Sequence, residues 1–217
     1  MNQPPLKRLA VLISGRGSNF LAIADAIERL DLVAEIVVVV SNRADAVGLE
    51  LARQRGLDVA VVESSGYDDR QQFDKAVADR LELVKPDWIV LAGFMRILSD
   101  VFIDRFAGRI VNVHPSLLPA FPGLHTHKRV LEAGLSEHGA SIHLVTAELD
   151  GGPLLGQVAL QVGVDESESS LAQRVLMNEH RLYPAVLKLL VSGRLVWDQQ
   201  AGLRLDGEPT IGVRMVG

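Results

Sequence analysis

Residues 35–40 read EIVVVV, an almost unbroken run of β-branched apolar residues. Such a run is typical of a parallel strand buried on both faces, because a strand with one wet face would alternate with polar residues. Similar apolar runs occur at 9–13, 59–62 and 88–92, and helical patterns separate them. Strands that alternate with helices through short connections predict right-handed crossovers and a doubly wound, mostly parallel sheet.

The remaining elements complete an α/β fold class. Helices are predicted over residues 20–30, 45–55 and 69–84, after Ser99, and from Ser169 onward. Ser18 or Asn19 is expected to cap the first helix, and Pro184 to bend or end the last. A strand is predicted over 110–114, and antiparallel strands over 141–146 and 157–162, near the C-terminal end. We expect one domain spanning residues 1–217.

Composition excludes several classes of protein. The chain has 217 residues, 48% hydrophobic and 23% charged, as in ordinary globular proteins. Its net charge of -5 argues against a nucleic-acid-binding surface. With no cysteine, there is no thiolate nucleophile or cysteine-based zinc site. No signal peptide or membrane-length apolar run is found, so we expect a cytoplasmic enzyme with small-molecule substrates, no nucleic acid and no membrane.

The stretch IVNVHPSLLP, residues 110–119, contains the first candidate site. Asn112 and His114 are two residues apart, so they leave the same face of a strand, and Pro115 stops the strand. An amide and an imidazole side by side are the hydrogen-bond donors that a developing oxyanion needs. The alternative is two polar residues that simply face solvent.

A glycine-rich loop, SGRGSN, follows the first strand. Gly17, Ser18 and Asn19 precede a helix, where backbone N–H groups can hold a phosphate. The dinucleotide pattern GxGxxG fails because Phe20 stands at its third glycine, although Arg43 could serve the 2′-phosphate of NADP. A monophosphate therefore fits better than a dinucleotide, and a tight turn that binds nothing is the alternative.

Two carboxylates stand out in the second half of the chain. Asp150, in LDGGP, is either a turn residue or a partner that favours the imidazolium form of His114. Glu179 lies on the apolar stripe of the last helix. It is either half exposed beside Arg174 or Arg181 or turned into a polar cavity.

Two other groups admit alternatives. His125, His127 and His143 raise the question of a metal site, but the chain lacks an HExxH pattern and cysteine partners. Residues 95–98, MRIL, are either core or the wall of a pocket for a flat heterocycle.

Ligands of open α/β sheets bind outside the carboxyl ends of the strands. We therefore expect four loops to converge on one edge of the sheet: those after the first strand, after 88–92 and after 110–114, and the Asp150 loop.

Taken together, these segments resemble the folate-dependent phosphoribosylglycinamide formyltransferases of de novo purine synthesis, from the first strand to about Trp197. The resemblance rests on ISGRGSN, SNRADA with GLELAR, LAGFMRIL, NVHPSLLPAFPGLHTH, HGASIH, ELDGGP and EHRLYP. Other formyltetrahydrofolate enzymes share HPSLLP and a later aspartate loop, whereas the GSN loop and the chain length favour the glycinamide branch.

The resemblance implies a formyltransferase-type, Rossmann-like fold and an activity. The family transfers a formyl group from 10-formyltetrahydrofolate, its co-substrate, to the amino group of glycinamide ribonucleotide. By the matching motifs, Asn112 and His114 would stabilise the tetrahedral oxyanion, and Asp150 would keep His114 protonated and help to move protons through water.

The resemblance also implies the binding residues. Gly17, Ser18 and Asn19 would hold the ribonucleotide phosphate, and Glu179 would contact the glycinamide part. The folate would be bordered by Arg70, Met95, Arg96, Ile97, Leu98 and Asn112. No metal or bound redox cofactor is expected, and the protein would be a monomer or a homodimer.

Rival functions come from two classes. A formyltetrahydrofolate hydrolase normally carries an additional amino-terminal domain, and a methionyl-tRNA formyltransferase needs a further carboxy-terminal domain and a basic surface. An NADP-dependent oxidoreductase or a non-catalytic nucleotide-binding module is the rival of a different class.

Overall fold

The structure is a computed structural model that describes residues 5–217. These residues form two compact units, one ending at Val111 and the other beginning at Asn112. Strand β5 (Ile110–His114) begins in the first unit and ends in the second. A single domain over residues 1–217 stays a prediction.

The first unit is built around parallel strands. Its elements are β1 (Lys7–Ile13), α1 (Ser18–Glu28), β2 (Ala34–Ser41), α2 (Val47–Gln54), β3 (Val59–Val61), a 3₁₀ turn (Ser64–Gly66), α3 (Arg70–Val84), β4 (Trp88–Leu91) and α4 (Asp100–Arg105). Strand β1 pairs in parallel with β2 and β4, and β2 pairs in parallel with β3. The resulting order, β3-β2-β1-β4, is that of a doubly wound Rossmann-type sheet, whose order reverses between β1 and β4.

Burial along the strands explains the apolar runs. Residues 9–13 of β1 are fully buried, as a strand covered on both faces requires. In β2, residues 38–40 are fully buried, but residues 35–37 are only half-buried. Glu35 lies at this less buried end and pairs with Arg8 at 2.7 Å, so the EIVVVV run is a two-sided core strand only in its second half.

The second unit combines antiparallel and parallel pairing. Its elements are α5 (Thr126–Glu132), β6 (Glu137–Leu144), β7 (Leu154–Gln161), α6 (Glu168–Val191), β8 (Leu195–Asp198), β9 (Gly202–Leu205), β10 (Glu208–Pro209) and β11 (Val213–Val216). Strand β7 pairs antiparallel with β6 and parallel with β11, and β8, β9 and β10 form a small antiparallel sheet. The predicted fold class is confirmed: α/β with a mostly parallel sheet, eight-stranded, and antiparallel strands near the C-terminal end.

The predicted cap of the first helix is wrong, and so is one of the two alternatives for Pro184, that it ends the last helix. Helix α1 begins at Ser18, and its N-cap is Gly17, with φ 74° and no side-chain cap, so neither Ser18 nor Asn19 is the cap. Helix α6 does not end at Pro184 but continues to Val191. Leu182 and Val186, on either side of the proline, are fully buried, and their packing outweighs the hydrogen bond that proline removes.

Strand limits in the second unit also differ from the prediction. Strand β6 starts at Glu137 rather than at residue 141, although EHGA is a weak strand sequence. Pairing with β7 imposes the extended conformation there, since Glu137 is the register partner of Gln161. Within residues 5–217, no helix has the length and apolarity that a membrane crossing needs.

Candidate active site

The carboxyl end of β5 carries Asn112 and His114, and Pro115 follows the strand as predicted. His114 is buried, and Asn112 is half-buried. The alternative of two polar residues that merely face solvent is therefore wrong for His114. Both side chains belong to a polar network of the second unit.

Both ring nitrogens of His114 face oxygen atoms. Nε2 lies 2.9 Å from the carbonyl oxygen of Phe121, which can only accept a hydrogen bond, so Nε2 carries the proton. Nδ1 lies 3.4 Å from Oδ2 of Asp150. A proton on Nδ1 would point at this carboxylate, so the geometry accommodates the protonated ring that the resemblance implies.

Asp150 is both a turn residue and a partner of the histidines. Its backbone has φ 52°, in the left-handed region that turns often use. Its Oδ2 accepts a hydrogen bond of 2.8 Å from the backbone N–H of Gly123, and Oδ1 lies 3.7 Å from Nε2 of His143. The two interpretations of LDGGP are therefore compatible, because the turn places the carboxylate of Asp150 near the imidazole of His114.

His143, on β6, fixes the amide of Asn112, a role that sequence reasoning missed. Its Nδ1 lies 2.9 Å from the carbonyl oxygen of Leu144 and therefore donates, while burial lowers its pKa and favours the neutral ring. Nε2 is then an acceptor, and Nδ2 of Asn112 donates to it at 3.2 Å. The HGASIH segment contained this histidine, but no spacing rule connected it with Asn112.

Together these residues can stabilise negative charge. The Asn112 amide has two hydrogens, and one is used on His143; among residues 5–217 the second has no acceptor. A pre-oriented N–H donor next to a cationic imidazole is what an oxyanion requires. That Asp150 keeps His114 protonated stays a prediction.

In the first unit, the glycine-rich loop opens onto the start of α1. Gly17 has φ 74°, and a Cβ added there would lie 3.0 Å from Cα of Gly48. Ser18 and Asn19 are the first two helical residues, so their N–H groups lie at the positive end of the helix. No acidic side chain occupies the first turn of α1, which leaves the positive end of the helix available to an anion.

The loop after β4 lies against the loop after β1. The N–H of Met95 donates to Oγ of Ser14 at 2.8 Å, and the N–H of Ser14 donates to the carbonyl of Gly93 at 3.1 Å. Oγ of Ser14 in turn donates to Oδ1 of Asn42 at 2.6 Å. The two loops therefore meet where the strand order reverses, which is the ligand-binding position of doubly wound sheets.

The predicted folate-binding residues of the first unit differ in exposure. Met95 and Ile97 are 69% and 61% exposed, whereas Leu98 is buried. Arg96 is half-buried, and Arg70, the first residue of α3, is exposed. The MRIL segment is thus core at Leu98 and an apolar surface at Met95 and Ile97.

Glu179 is buried in α6, so the half-exposed alternative is wrong. Arg174 pairs instead with Glu166 at 2.8 Å, and Arg181 donates to Asn178 at 3.3 Å. The pKa of Tyr183 is raised well above its usual value by burial and by the negative charge of Glu179. Convergence of the loops of the first unit with those of the second stays a prediction.

Known proteins are similar to this chain in sequence and in fold. A family model described as formyl transferase matches residues 7–187. The phosphoribosylglycinamide formyltransferase of Escherichia coli (strain K12) is 46% identical over 200 residues, 92% of this chain and 94% of that protein. This chain belongs to the phosphoribosylglycinamide formyltransferase family.

Solved structures of formyltransferases agree with this assignment. The phosphoribosylglycinamide formyltransferase of Coxiella burnetii has a TM-score of 0.91 and 40% identity, covering 97% of this chain and 99% of that one. Glycinamide ribonucleotide transformylase 1 of Symbiobacterium toebii has a TM-score of 0.90 and 41% identity, covering 94% and 95%. The Rossmann-like fold expected from the sequence is that of known formyltransferases.

Two alternatives from the sequence find no support in this formyltransferase. Arg43, the candidate for a 2′-phosphate, is paired with Asp45 at 2.7 Å. His125 and His127 would share a face only in extended chain, but His125 is the N-cap of α5 and His127 lies within it. Within residues 5–217, no three histidine, aspartate or glutamate side chains are grouped to hold a metal ion.

A second histidine contact in the formyltransferase involves His127 and His138. Nδ1 of His127 lies 3.0 Å from Nε2 of His138, so one ring donates and the other accepts. His138 is 1% exposed, and burial, reinforced by positive charge on His127 and His114, lowers its pKa to about 4.

We expect His138 to make the formyltransferase sensitive to acid. Its folded-state pKa of about 4 lies below the ordinary value of 6.5, so the unfolded chain binds the proton more tightly. This part of the stability is complete above pH 6.5 and is lost as the pH falls towards 4. At pH 5 the loss is about 2 kcal/mol relative to pH 7.

Urea unfolding of the wild type and of His138→Gln at pH 7 and pH 5 measures this effect. The glutamine variant should lose less stability over this interval, by about 2 kcal/mol. His125→Asn, at an exposed histidine, is the control and should retain the wild-type dependence. Equal losses in wild type and His138→Gln would contradict the prediction.

Proposed function

We propose that this formyltransferase moves the formyl group of 10-formyltetrahydrofolate to the amino group of glycinamide ribonucleotide, in de novo purine (IMP) biosynthesis. The amine nitrogen attacks the formyl carbon, and the carbonyl oxygen becomes an oxyanion. When this adduct collapses, the bond from the formyl carbon to the folate nitrogen breaks. The amine loses a proton, the folate nitrogen gains one, and the products are formylglycinamide ribonucleotide and tetrahydrofolate.

The observation that carries this proposal is the network of Asn112, His114, His143 and Asp150. His143 orients the Asn112 amide, and in this proposal the second N–H of that amide donates to the oxyanion. His114, with Asp150 at 3.4 Å, contributes a positive charge and an exchangeable proton. A network that can stabilise negative charge on the oxygen of a tetrahedral adduct suits acyl transfer to an amine.

The substrate contacts are part of the same proposal. Gly17, Ser18 and Asn19 bind the ribonucleotide phosphate, supported by their place at the N-terminus of α1, whose first turn carries no acidic side chain. Glu179 contacts the amine-bearing glycinamide part. Arg70, Met95, Arg96, Ile97, Leu98 and Asn112 border the folate. A cytoplasmic location, and a monomeric or homodimeric state, remain predictions.

An assay of tetrahydrofolate formation tests the function. The protein is mixed with 10-formyltetrahydrofolate, with and without glycinamide ribonucleotide, and we expect tetrahydrofolate only when the ribonucleotide is present. Absence of product would contradict the proposal, and equal product without the ribonucleotide would identify a hydrolase. Tight NADPH binding that the ribonucleotide does not affect would favour the oxidoreductase class instead.

We expect Gly17→Ala to weaken binding of the ribonucleotide. Alanine at φ 74° is strained by about 1–2 kcal/mol, and its Cβ would lie 3.0 Å from Cα of Gly48. Relief of this strain turns the amides of Ser18 and Asn19 away from the phosphate. The KM for glycinamide ribonucleotide should rise about tenfold, while the KM for 10-formyltetrahydrofolate stays within about twofold.

Gly15→Ala is the matched control in the same loop. A Cβ at Gly15 meets no atom within 4 Å, and its φ lies outside the left-handed region. This variant should keep the wild-type KM for the ribonucleotide. If Gly17→Ala behaves like Gly15→Ala, the loop does not hold the phosphate.

A further inference from the structure

Asp74 is a buried carboxyl group on α3 that touches the far end of the loop after β4. It is 1% exposed, and its Oδ2 accepts a hydrogen bond from the backbone N–H of Ser99. Ser99 is the N-cap residue of α4, and its side chain is buried as well. The contact therefore fixes the point where the loop, residues 92–99, enters the next helix.

Burial of this carboxyl group is not explained by stability alone. Its Oδ1 and the hydroxyl of Ser99 are both buried and have no hydrogen-bond partner among residues 5–217. Each such unsatisfied group destabilises the folded state by about 1–3 kcal/mol. A site that keeps incompletely paired polar atoms in the core indicates that their geometry serves another purpose.

Two further contacts hold the same loop. Near its start, Met95 donates its N–H to Oγ of Ser14 at 2.8 Å. In its middle, the guanidinium of Arg96 lies over the ring of Phe73, 5.0 Å from its centroid. Phe73 is fully buried and precedes Asp74 in α3, so consecutive residues of one helix hold the middle and the end of the loop.

The loop of residues 92–99 exposes apolar side chains. Met95 and Ile97 are largely exposed, while Arg96 and Leu98 between and after them are held against the protein. Exposed apolar side chains on a fixed backbone provide a ready surface for a flat ring, and the backbone groups between them can pair with its polar edge. Their usefulness depends on the loop keeping one conformation.

We propose that Asp74 is a positioning residue, which holds the Met95–Ile97 surface in the conformation that binds the folate co-substrate. The inference rests on the proposed function, because the folate is assigned to this loop there. Asp74 acts through the loop and does not touch the reacting atoms. Its removal therefore affects folate binding and leaves the chemical step and ribonucleotide binding largely intact.

Steady-state kinetics of Asp74→Ala and Asp74→Asn test the inference. In Asp74→Ala the KM for 10-formyltetrahydrofolate should rise about tenfold, the effect of losing one buried hydrogen bond to the loop. The KM for glycinamide ribonucleotide and kcat should change by less than about threefold. In Asp74→Asn an amide oxygen can still accept from Ser99, so the folate KM should return close to the wild-type value.

Asp69→Asn is the matched control on the same helix. Asp69 caps α3 by accepting the N–H of Gln72 at 2.8 Å, is exposed, and should leave the folate KM unchanged. If Asp74→Ala does not fold, Ser99→Pro removes the donor from the loop side, at a residue whose φ of -77° proline accepts. It should show the same selective rise in folate KM.

The two proposals fail in different ways. If the wild type transfers no formyl group, the proposed function fails. Two results with an active wild type would overturn the inference. Loss of the Asp74–Ser99 contact could leave the folate KM unchanged, or it could raise both KM values and lower kcat to the same extent. In either case Asp74 has only a structural role.

Discussion

Replacement of His114 by alanine is expected to lower kcat for formyl transfer by about 10²–10³-fold. The variant removes the imidazole whose Nδ1 lies 3.4 Å from Oδ2 of Asp150, and with it the positive charge that the proposed mechanism assigns to this ring. Negative charge on the tetrahedral adduct then has only the Asn112 amide to stabilise it. Steady-state rates of tetrahydrofolate formation, with both substrates saturating, measure the effect.

A double-mutant cycle with Asp150→Asn shows whether the two residues act as one unit. Asp150→Asn alone should also lose most of the turnover, since it removes the charge that faces His114. The double variant should then be little slower than the slower single variant, because groups that work together are not additive. Wild-type urea midpoints for all variants would show that the fold is intact. A His114→Ala variant with nearly full kcat would contradict the mechanism.

Gly139→Ala is expected to destabilise the protein by about 3 kcal/mol or more. Gly139 lies in β6, opposite Ala159 of β7. A Cβ at this position would lie 1.9 Å from the carbonyl oxygen of Val158, a backbone atom that can move only if the strand pair separates. The urea midpoint of unfolding at pH 7 should fall markedly.

Gly66→Ala provides the comparison for this stability effect. Gly66 is exposed in the 3₁₀ turn, and a Cβ there meets no atom within 4 Å. Its stability should change by less than about 0.5 kcal/mol. If Gly139→Ala unfolds at the same urea concentration as Gly66→Ala, the close approach of β6 to β7 is not as tight as the structure describes.

Strong local patterns could be predicted from the sequence. Strand β5 has the predicted limits, Ile110–His114, because its apolar run is short and Pro115 ends it. The helix predicted over 45–55 stops at Gly56, and in the structure Gly56, with φ 70°, follows Arg55, the C-cap of α2. In both places one residue type has a conformational preference strong enough to decide the backbone without help from distant residues.

Prediction of strand and helix limits failed where contacts with residues distant in sequence determine the backbone conformation. The start of β6 follows from pairing with β7 rather than from the weak strand sequence EHGA. The pairing of β11 with β7 could not be predicted, because the tail after Gln200 offered no usable pattern. Nor could the local sequence predict that α6 would continue through Pro184, since that depends on what its buried side chains pack against.

The same division applies to the candidate active site. Asn112 and His114 lie on one face of β5 because side chains repeat every two residues along any strand, and the sequence alone determines that. That His143 orients the Asn112 amide, that Gly123 donates to Asp150, and that Asp74 reaches Ser99 was decided only by the tertiary structure. Each of these contacts joins residues at least 25 positions apart, beyond the reach of local backbone preferences, and hydrogen-bond geometry is set within tenths of an ångström by how the elements pack.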